Sequence, residues 1–238
     1  MQQTSQKGGI LIKAVIFDLD NTLVDFFHVK KMAVRAAVNA MLDAGLGASF
    51  DQAYGEIMAI YNTEGIEYQE IFDRFLIQRY GEIDHKMLGA GVVGYRKARD
   101  AALVLYPHVT NTLTTLAKRG IKLGIITDAP VKQAWLRLCY LNLHHLFDAV
   151  VVTEELGALK PSPLPFNKAL DALDVKPGEA LMVGDWPERD MVGAKNVGIR
   201  TVYARYGDIR STEPSGADYE IDDIAELIGI IDLEDKRK

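Results

Sequence analysis

The chain has one cysteine in 238 residues, Cys139. An internal disulfide is excluded, and a reducing compartment is expected. Cys139 falls in an apolar helical pattern, so it is expected to pack in a core. Long apolar runs are also missing: none approaches the roughly 18 residues that span a bilayer. The opening "MQQTSQKGGI" (1–10) lacks the apolar stretch of a signal peptide, and it reads, with residues 233–238, as a loose end. A cytoplasmic protein with no membrane partner is the expectation. Positive charge is scarce as well. Lys and Arg number 27 against 33 Asp and Glu, a net charge of -6, which argues against a nucleic-acid partner. No cluster of His and Cys has zinc spacing. The five histidines (28, 85, 108, 144, 145) are scattered and read as surface or structural. His28 alone follows the stretch "DLDNT" (18–22) closely enough to be considered for substrate contact.

What remains is an ordinary globular composition, 48% apolar and 25% charged, in a length that suits one large domain or a domain plus a smaller one. Short apolar runs recur at "IKAVIF" (12–17), "IKLGIIT" (121–127), "AVVVT" (149–153), "ALMVG" (180–184) and "RTVYARY" (200–206). None alternates cleanly between apolar and polar, so each reads as a strand buried on both faces, the mark of a parallel sheet. Helical text separates them at 109–120, ending on Gly120 as a C-cap, and at 131–147, 165–175 and 189–198. This alternation predicts an α/β, doubly wound parallel sheet of Rossmann type with right-handed crossovers.

The first crossover departs from that pattern. From Val24 to about Tyr106 the text is amphipathic and helical, with helices expected at 27–45, 49–65 (Ser49 as N-cap), 67–81 and 84–105. A simple crossover is far shorter. The expected organisation is therefore a discontinuous α/β core at 11–23 plus 104–232, with a helical domain at 24–103 inserted after the first strand. Within that insertion "GAGVVG" (89–94) matches the dinucleotide fingerprint G-x-G-x-x-G. That fingerprint works only between a strand and a helix, with an acid about 20 positions on. The preceding text is polar and helix-like, and His108 to Ala117 holds no acid. Close helix approach or a helix break is the expectation here, not a cofactor.

The polar residues are informative by position. Strand one ends in Asp18 and Asp20, strand two in Thr127 and Asp128, strand four in Asp185, and Lys160 lies in the loop beyond strand three. Ligands of open parallel sheets bind outside the carboxyl ends of the strands. Helix capping accounts for Thr127, Asp128 or Asp185 singly, but not for two aspartates at 18 and 20. Two carboxylates about 6 Å apart repel by roughly 3 kcal/mol at an effective dielectric near 20. With Asp185 added, the group needs a cation or must hold a proton. Oxygen-only ligands favour a hard ion such as Mg²⁺.

"DLDNT" (18–22), Thr127 after "GII", Lys160 before "PSP" and "GDWPERD" (184–190) resemble, in order, the four motifs of the haloacid dehalogenase-like phosphohydrolases. Each alone is weak; four in order at predicted strand ends are specific. The likeness spans about residues 12–206, and the insertion is similar to the family's helical cap at its first insertion point, the layout of phosphoglycolate and glyceraldehyde 3-phosphate phosphatases. The resemblance implies a Mg²⁺-dependent phosphatase of small phosphorylated metabolites. Asp18 would be the nucleophile that forms an aspartyl-phosphate, and Asp20 the general acid and then base. Lys160 would screen charge and bind phosphate with Thr127 and Asp128, and Asp18, Asp20 (through its carbonyl) and Asp185 would ligate the metal. Asp190 would support the metal or Lys160 from behind, and the cap would close over the substrate. Two positions depart from the family's usual pattern: Asp128 stands where Asn or Ser is common, and Trp186 where small polar residues are usual. A halide needs no acid to leave, so Asp20 favours ester hydrolysis over dehalogenation. A phosphoryl-transfer mutase or a non-catalytic phosphate-binding module are the alternatives. Monomer and homodimer both remain open.

Overall fold

The computed structural model describes residues 12–210, 212 and 214–236; the segment 1–10 lies outside the described residues. The chain divides into two compact units, one running to Asp25 and resuming at Leu105, the other comprising Phe26–Val104.

The first unit is built on one six-stranded sheet: β1 (Ala14–Phe17), β2 (Lys122–Thr127), β3 (Ala149–Val152), β4 (Ala180–Gly184), β5 (Arg200–Ala204) and β6 (Tyr219–Ile221). Their order is β3-β2-β1-β4-β5-β6, with every pair parallel. The five strands read from the sequence are present. β6 is additional; its three residues, Tyr-Glu-Ile, form too short a run to carry a pattern. β1 and β4 are buried along their whole length, as their unbroken apolar text demands.

Two layers of helix bury the sheet. Phe166, Ala169, Leu170 and Leu173 of a helix at Pro163–Leu173 pack with Ala14, Ile16 and Met182 on one face, joined by Ala194 from a short helix at Val192–Asn196. The helix at Val109–Lys118, carrying buried Leu113 and Leu116, and the one at Leu227–Asp235 pack together. Each fully buried Leu or Phe contributes about 1.5–3 kcal/mol. The last helix corrects an expectation: residues 233–235 are not loose but finish it, with Glu234 buried.

The helix at Val131–Tyr140 brings two further corrections. It stops at Tyr140 rather than running to 147. It also turns the other way: Ala134, Arg137 and Leu138 face inward, while Cys139 is exposed with Trp135, Leu136 and Tyr140. The apolar spacing that marked Cys139 as core exists, but the fold buries the neighbouring face.

The second unit consists of α1 (Phe26–Asp43), α2 (Phe50–Glu64), α3 (Ile71–Tyr80) and α4 (His85–Ala102). Ser49 caps α2 by accepting from the Gln52 N–H at 3.2 Å, and Asp84 caps α4 by accepting from Met87 at 2.9 Å. Met41, Ile57, Phe72, Phe75 and Leu76 form the core. The GAGVVG glycines lie in mid-helix in α4. A Cβ on Gly94 would come within 2.8 Å of the Ala36 carbonyl oxygen and 2.9 Å of the Ala40 Cβ, and one on Gly91 within 3.0 Å of Met41. Gly91 and Gly94 thus allow the close approach of α4 to α1, and the run lies within a helix rather than between a strand and a helix. Lys30, buried in α1, lies among the rings of Tyr61 (4.8 Å), Phe26 (5.4 Å) and Tyr95 (5.6 Å), with Glu67 at 4.0 Å.

Candidate active site

In the strand order, the chain leaves β1 toward β2 and β3, then returns to continue as β4 on the other side of β1. The crevice at such a reversal is the natural ligand site of an open parallel sheet. Phe17 is in register with Ile125 of β2 and Val183 of β4. Asp18 follows Phe17, and its N–H donates to the Val183 carbonyl at 2.9 Å. Asp18 and Asp185 therefore leave adjacent strands at nearly the same level.

Lys160 joins the group from the loop beyond β3. Its Nζ donates to Asp18 Oδ1 at 2.6 Å and to Asp190 Oδ1 at 2.7 Å. All three side chains are buried. Burial opposes the lysine's charge, but Asp18, Asp190 and Asp128 outweigh it and hold the ammonium above its ordinary range. The other Asp190 oxygen accepts from the Trp186 N–H at 3.1 Å, so this carboxylate spans the turn after β4 and fixes Lys160. Gly184 makes room for it, since a Cβ there would overlap the Asp190 carboxylate.

Asp18, Asp185 and Asp190 each place a carboxylate oxygen within 4.8 Å of the others. Burial first, and then the surrounding aspartates, push Asp18 up to about 7 against the pull of Lys160. Burial and the charges of Asp18 and Asp190 push Asp185 up to about 9, again with Lys160 opposing. Two carboxyls driven to keep protons, with oxygen-only donors, fit a hard divalent cation that would replace those protons. Both Asp190 oxygens accept hydrogen bonds already, so Asp18 and Asp185 are the better side-chain ligands.

Asp20 stands apart from that cluster. Its Oδ2 accepts from Arg137 Nη1 at 2.7 Å. The backbone here is a tight turn: Asn21 takes the left-handed conformation (φ 61°) and its N–H donates to the Val24 carbonyl at 2.6 Å. Gly207 closes on this turn so nearly that a Cβ would land on the Asn21 carbonyl oxygen. Thr127 is buried at the end of β2, its hydroxyl accepting from the Ala129 N–H at 3.1 Å.

Asp128 is paired with a cation of this chain. Its Oδ1 accepts from the Lys160 N–H at 3.1 Å and its Oδ2 from Arg189 Nη1 at 2.9 Å. Both oxygens of the carboxylate are thus engaged by donors of this chain. Arg189 and Arg210 stack on the Trp186 ring at 3.7 and 3.5 Å. Arg210 Nη1 also comes to 3.9 Å from Asp185. His28 is exposed on α1. Sequence reasoning missed Arg137, Arg189 and Arg210, because no motif spacing marks an arginine that pairs across the fold.

The family model described as haloacid dehalogenase-like hydrolase matches residues 15–204. A glyceraldehyde 3-phosphate phosphatase of Pyrococcus furiosus is 37% identical over 94% of this chain and 94% of its own. One of Methanopyrus kandleri is 37% identical over 93% of this chain and 97% of its own. Among solved structures, a phosphatase of this family from Thermococcus onnurineus has a TM-score of 0.68 at 29% identity, covering 92% of this chain and 97% of the other. Among the described residues, no helix is long and apolar enough to cross a membrane. With four motif segments gathered at one sheet edge and relatives matching nearly end to end, the chain belongs to the haloacid dehalogenase-like hydrolases and is an enzyme of their phosphatase branch.

Proposed function

We propose that this protein is a Mg²⁺-dependent phosphatase of a small phosphorylated metabolite, acting through an aspartyl-phosphate on Asp18. The observation that carries the reading is the Lys160 ammonium 2.6 Å from Asp18 Oδ1 in a buried site beside Asp185. A carboxylate attacks a phosphate dianion only where charge is screened and the approach is in line. Lys160 screens part of it. Asp18, Asp185 and the Asp20 carbonyl would hold the ion, which when bound supplies further charge neutralisation on the phosphoryl oxygens.

The chain's own residues divide the remaining work. The Thr127 hydroxyl and the backbone N–H groups that follow it would bind phosphoryl oxygens. As an Asp18 oxygen bonds to phosphorus, the P–O ester bond breaks and its electron pair leaves with the alkoxide. Asp20 gives that oxygen a proton. The same carboxylate then takes a proton from water, whose oxygen bonds to phosphorus while the Asp18–phosphorus bond breaks and phosphate departs. Such relay typically contributes about 10²–10⁴-fold. In this reading the helical unit is the family's substrate-selecting cap, and a three-carbon sugar phosphate of the glyceraldehyde 3-phosphate type heads the substrate list, following the names of the 37% identical relatives.

The test is phosphate release by purified protein with Mg²⁺ from p-nitrophenyl phosphate, glyceraldehyde 3-phosphate, phosphoglycolate and a wider metabolite panel. Release is expected from the aryl ester and at least one metabolite, and Asp18→Asn is expected to abolish it with circular dichroism unchanged. No release from any of them would overturn the reading.

A further inference from the structure

We infer that Arg137 is the positioning residue for Asp20, holding the proton-carrying carboxylate in place from the helix Val131–Tyr140. The inference deepens the phosphatase reading above and rests on it.

The helix itself raises the question. It turns Trp135, Leu136 and Tyr140 toward solvent, at 40%, 47% and 52% exposure, and buries Arg137 at 7%. That orientation inverts the usual economy of an amphipathic helix, which hides apolar side chains and exposes charge. Burying a guanidinium is strongly unfavourable unless it is paired with good geometry. Where a local rule is broken in this way, function is the common cause.

The partner identifies the function. Arg137 Nη1 reaches Asp20 Oδ2 at 2.7 Å, and both side chains are largely shielded from water. Backbone pairing of Asp20 with Val24 and the left-handed Asn21 already fix the main chain of this turn. The side-chain torsions of Asp20 are what a guanidinium can still restrict. Screening of the nucleophile is a separate task, performed by Lys160 on Asp18. The site thus has two buried cations with different clients: Lys160 serves the attacking carboxylate, and Arg137 the carboxylate that moves protons. A planar donor suits the second task, because it restrains orientation as well as charge.

Leaving-group dependence separates positioning from a structural role. An alkyl ester needs a proton on its departing oxygen; the phenolate of 2,4-dinitrophenyl phosphate leaves without one. The value of kcat/KM reports only steps through transfer to Asp18, where this difference acts. For Arg137→Met, kcat/KM is expected to fall about 100-fold on the best alkyl phosphate of the panel and less than about threefold on the dinitrophenyl ester. The kcat should fall on both, since hydrolysis of the aspartyl-phosphate uses Asp20 as base in either case. Arg137→Lys should recover at least tenfold of the alkyl activity. It keeps a buried cation, so it carries the same two-ester comparison if Arg137→Met does not fold. In an Asp20→Asn background, Arg137→Met should cost no further alkyl activity. Equal losses of kcat/KM on the two esters, or no loss on either, would overturn the inference. Wild-type protein inert toward both esters would instead remove the phosphatase reading beneath it.

Discussion

Arg189 donates through Nη1 to Asp128 Oδ2 across 2.9 Å, tying the residue after Thr127 to the turn that follows Asp185. The same carboxylate holds the Lys160 N–H at 3.1 Å through Oδ1. One side chain thus joins three of the four motif segments and accounts for an acid beside the proposed phosphate site. Its charge is matched by Arg189, and its oxygens point at donors. Hydrogen bonds to charged groups each contribute about 1.5–3 kcal/mol. Asp128→Ala should therefore lower the melting temperature by about 5 °C and reduce kcat/KM about tenfold through a loosened Lys160. Asp128→Asn keeps an acceptor for the Lys160 N–H and should lose less. Thermal melts and phosphate-release kinetics on the two variants check this; Asp128→Ala with unchanged kinetics would restrict the residue to a surface role.

Lys160 is the larger liability. Its ammonium stands between Asp18 and Asp190, and the three side chains have almost no solvent contact. Lys160→Met leaves buried carboxylates facing one another without a counter-charge. Breaking a buried pair in this manner costs about 3–5 kcal/mol, a loss on the order of 10 °C for a chain of this size. Activity should drop to background. Addition of Mg²⁺ should return part of the stability but none of the turnover, which differential scanning calorimetry and kinetics would separate.

The titration of the acid cluster gives a pH-dependent expectation. Asp18 and Asp185 are pushed up to about 7 and about 9 in the folded protein, chiefly by burial. Between the ordinary carboxylate range and those values, the folded state holds protons that the unfolded chain has released. By linkage, metal-free stability should fall as pH rises through that window. A divalent cation takes the place of the protons, so its stabilisation should grow over the same interval. Millimolar Mg²⁺ is expected to shift the melting temperature little near pH 5 and clearly near pH 9. Equal shifts at the two pH values would show that these carboxyls are not the ligands.

Much of the site was legible because strand ends announce themselves. Apolar runs that stop abruptly at Asp18, Thr127 and Asp185 give both the sheet and its functional edge, and loop position added Lys160. What stayed hidden depends on contacts between distant segments. Arg137 is 117 residues from Asp20, and its helix carries apolar text on more than one face, so periodicity alone misassigned Cys139 to the core. Arg189 lies inside a quoted motif, yet its bond to Asp128 depends on how two loops meet. β6 was missed for a simpler reason: three edge residues with a glutamate in the middle carry no pattern long enough to read.

Glycine in the middle of α4 offers a test of helix packing with an internal control. Gly89 and Gly94 belong to the same motif-like run, and both lie within His85–Ala102. A Cβ on Gly89 meets nothing within 4 Å, and its backbone is helical. Gly89→Ala should then stabilise the protein by up to about 1 kcal/mol, through helix propensity and a less flexible unfolded chain. The Gly94 Cβ would meet the Ala36 carbonyl oxygen at 2.8 Å, a backbone atom that cannot swing aside. Gly94→Ala should destabilise by about 1–3 kcal/mol as α1 and α4 are forced apart. Urea titrations of the two variants, compared by midpoint at constant slope, should move in opposite directions. If both stabilise, the close approach of α4 to α1 is not what the second glycine is for.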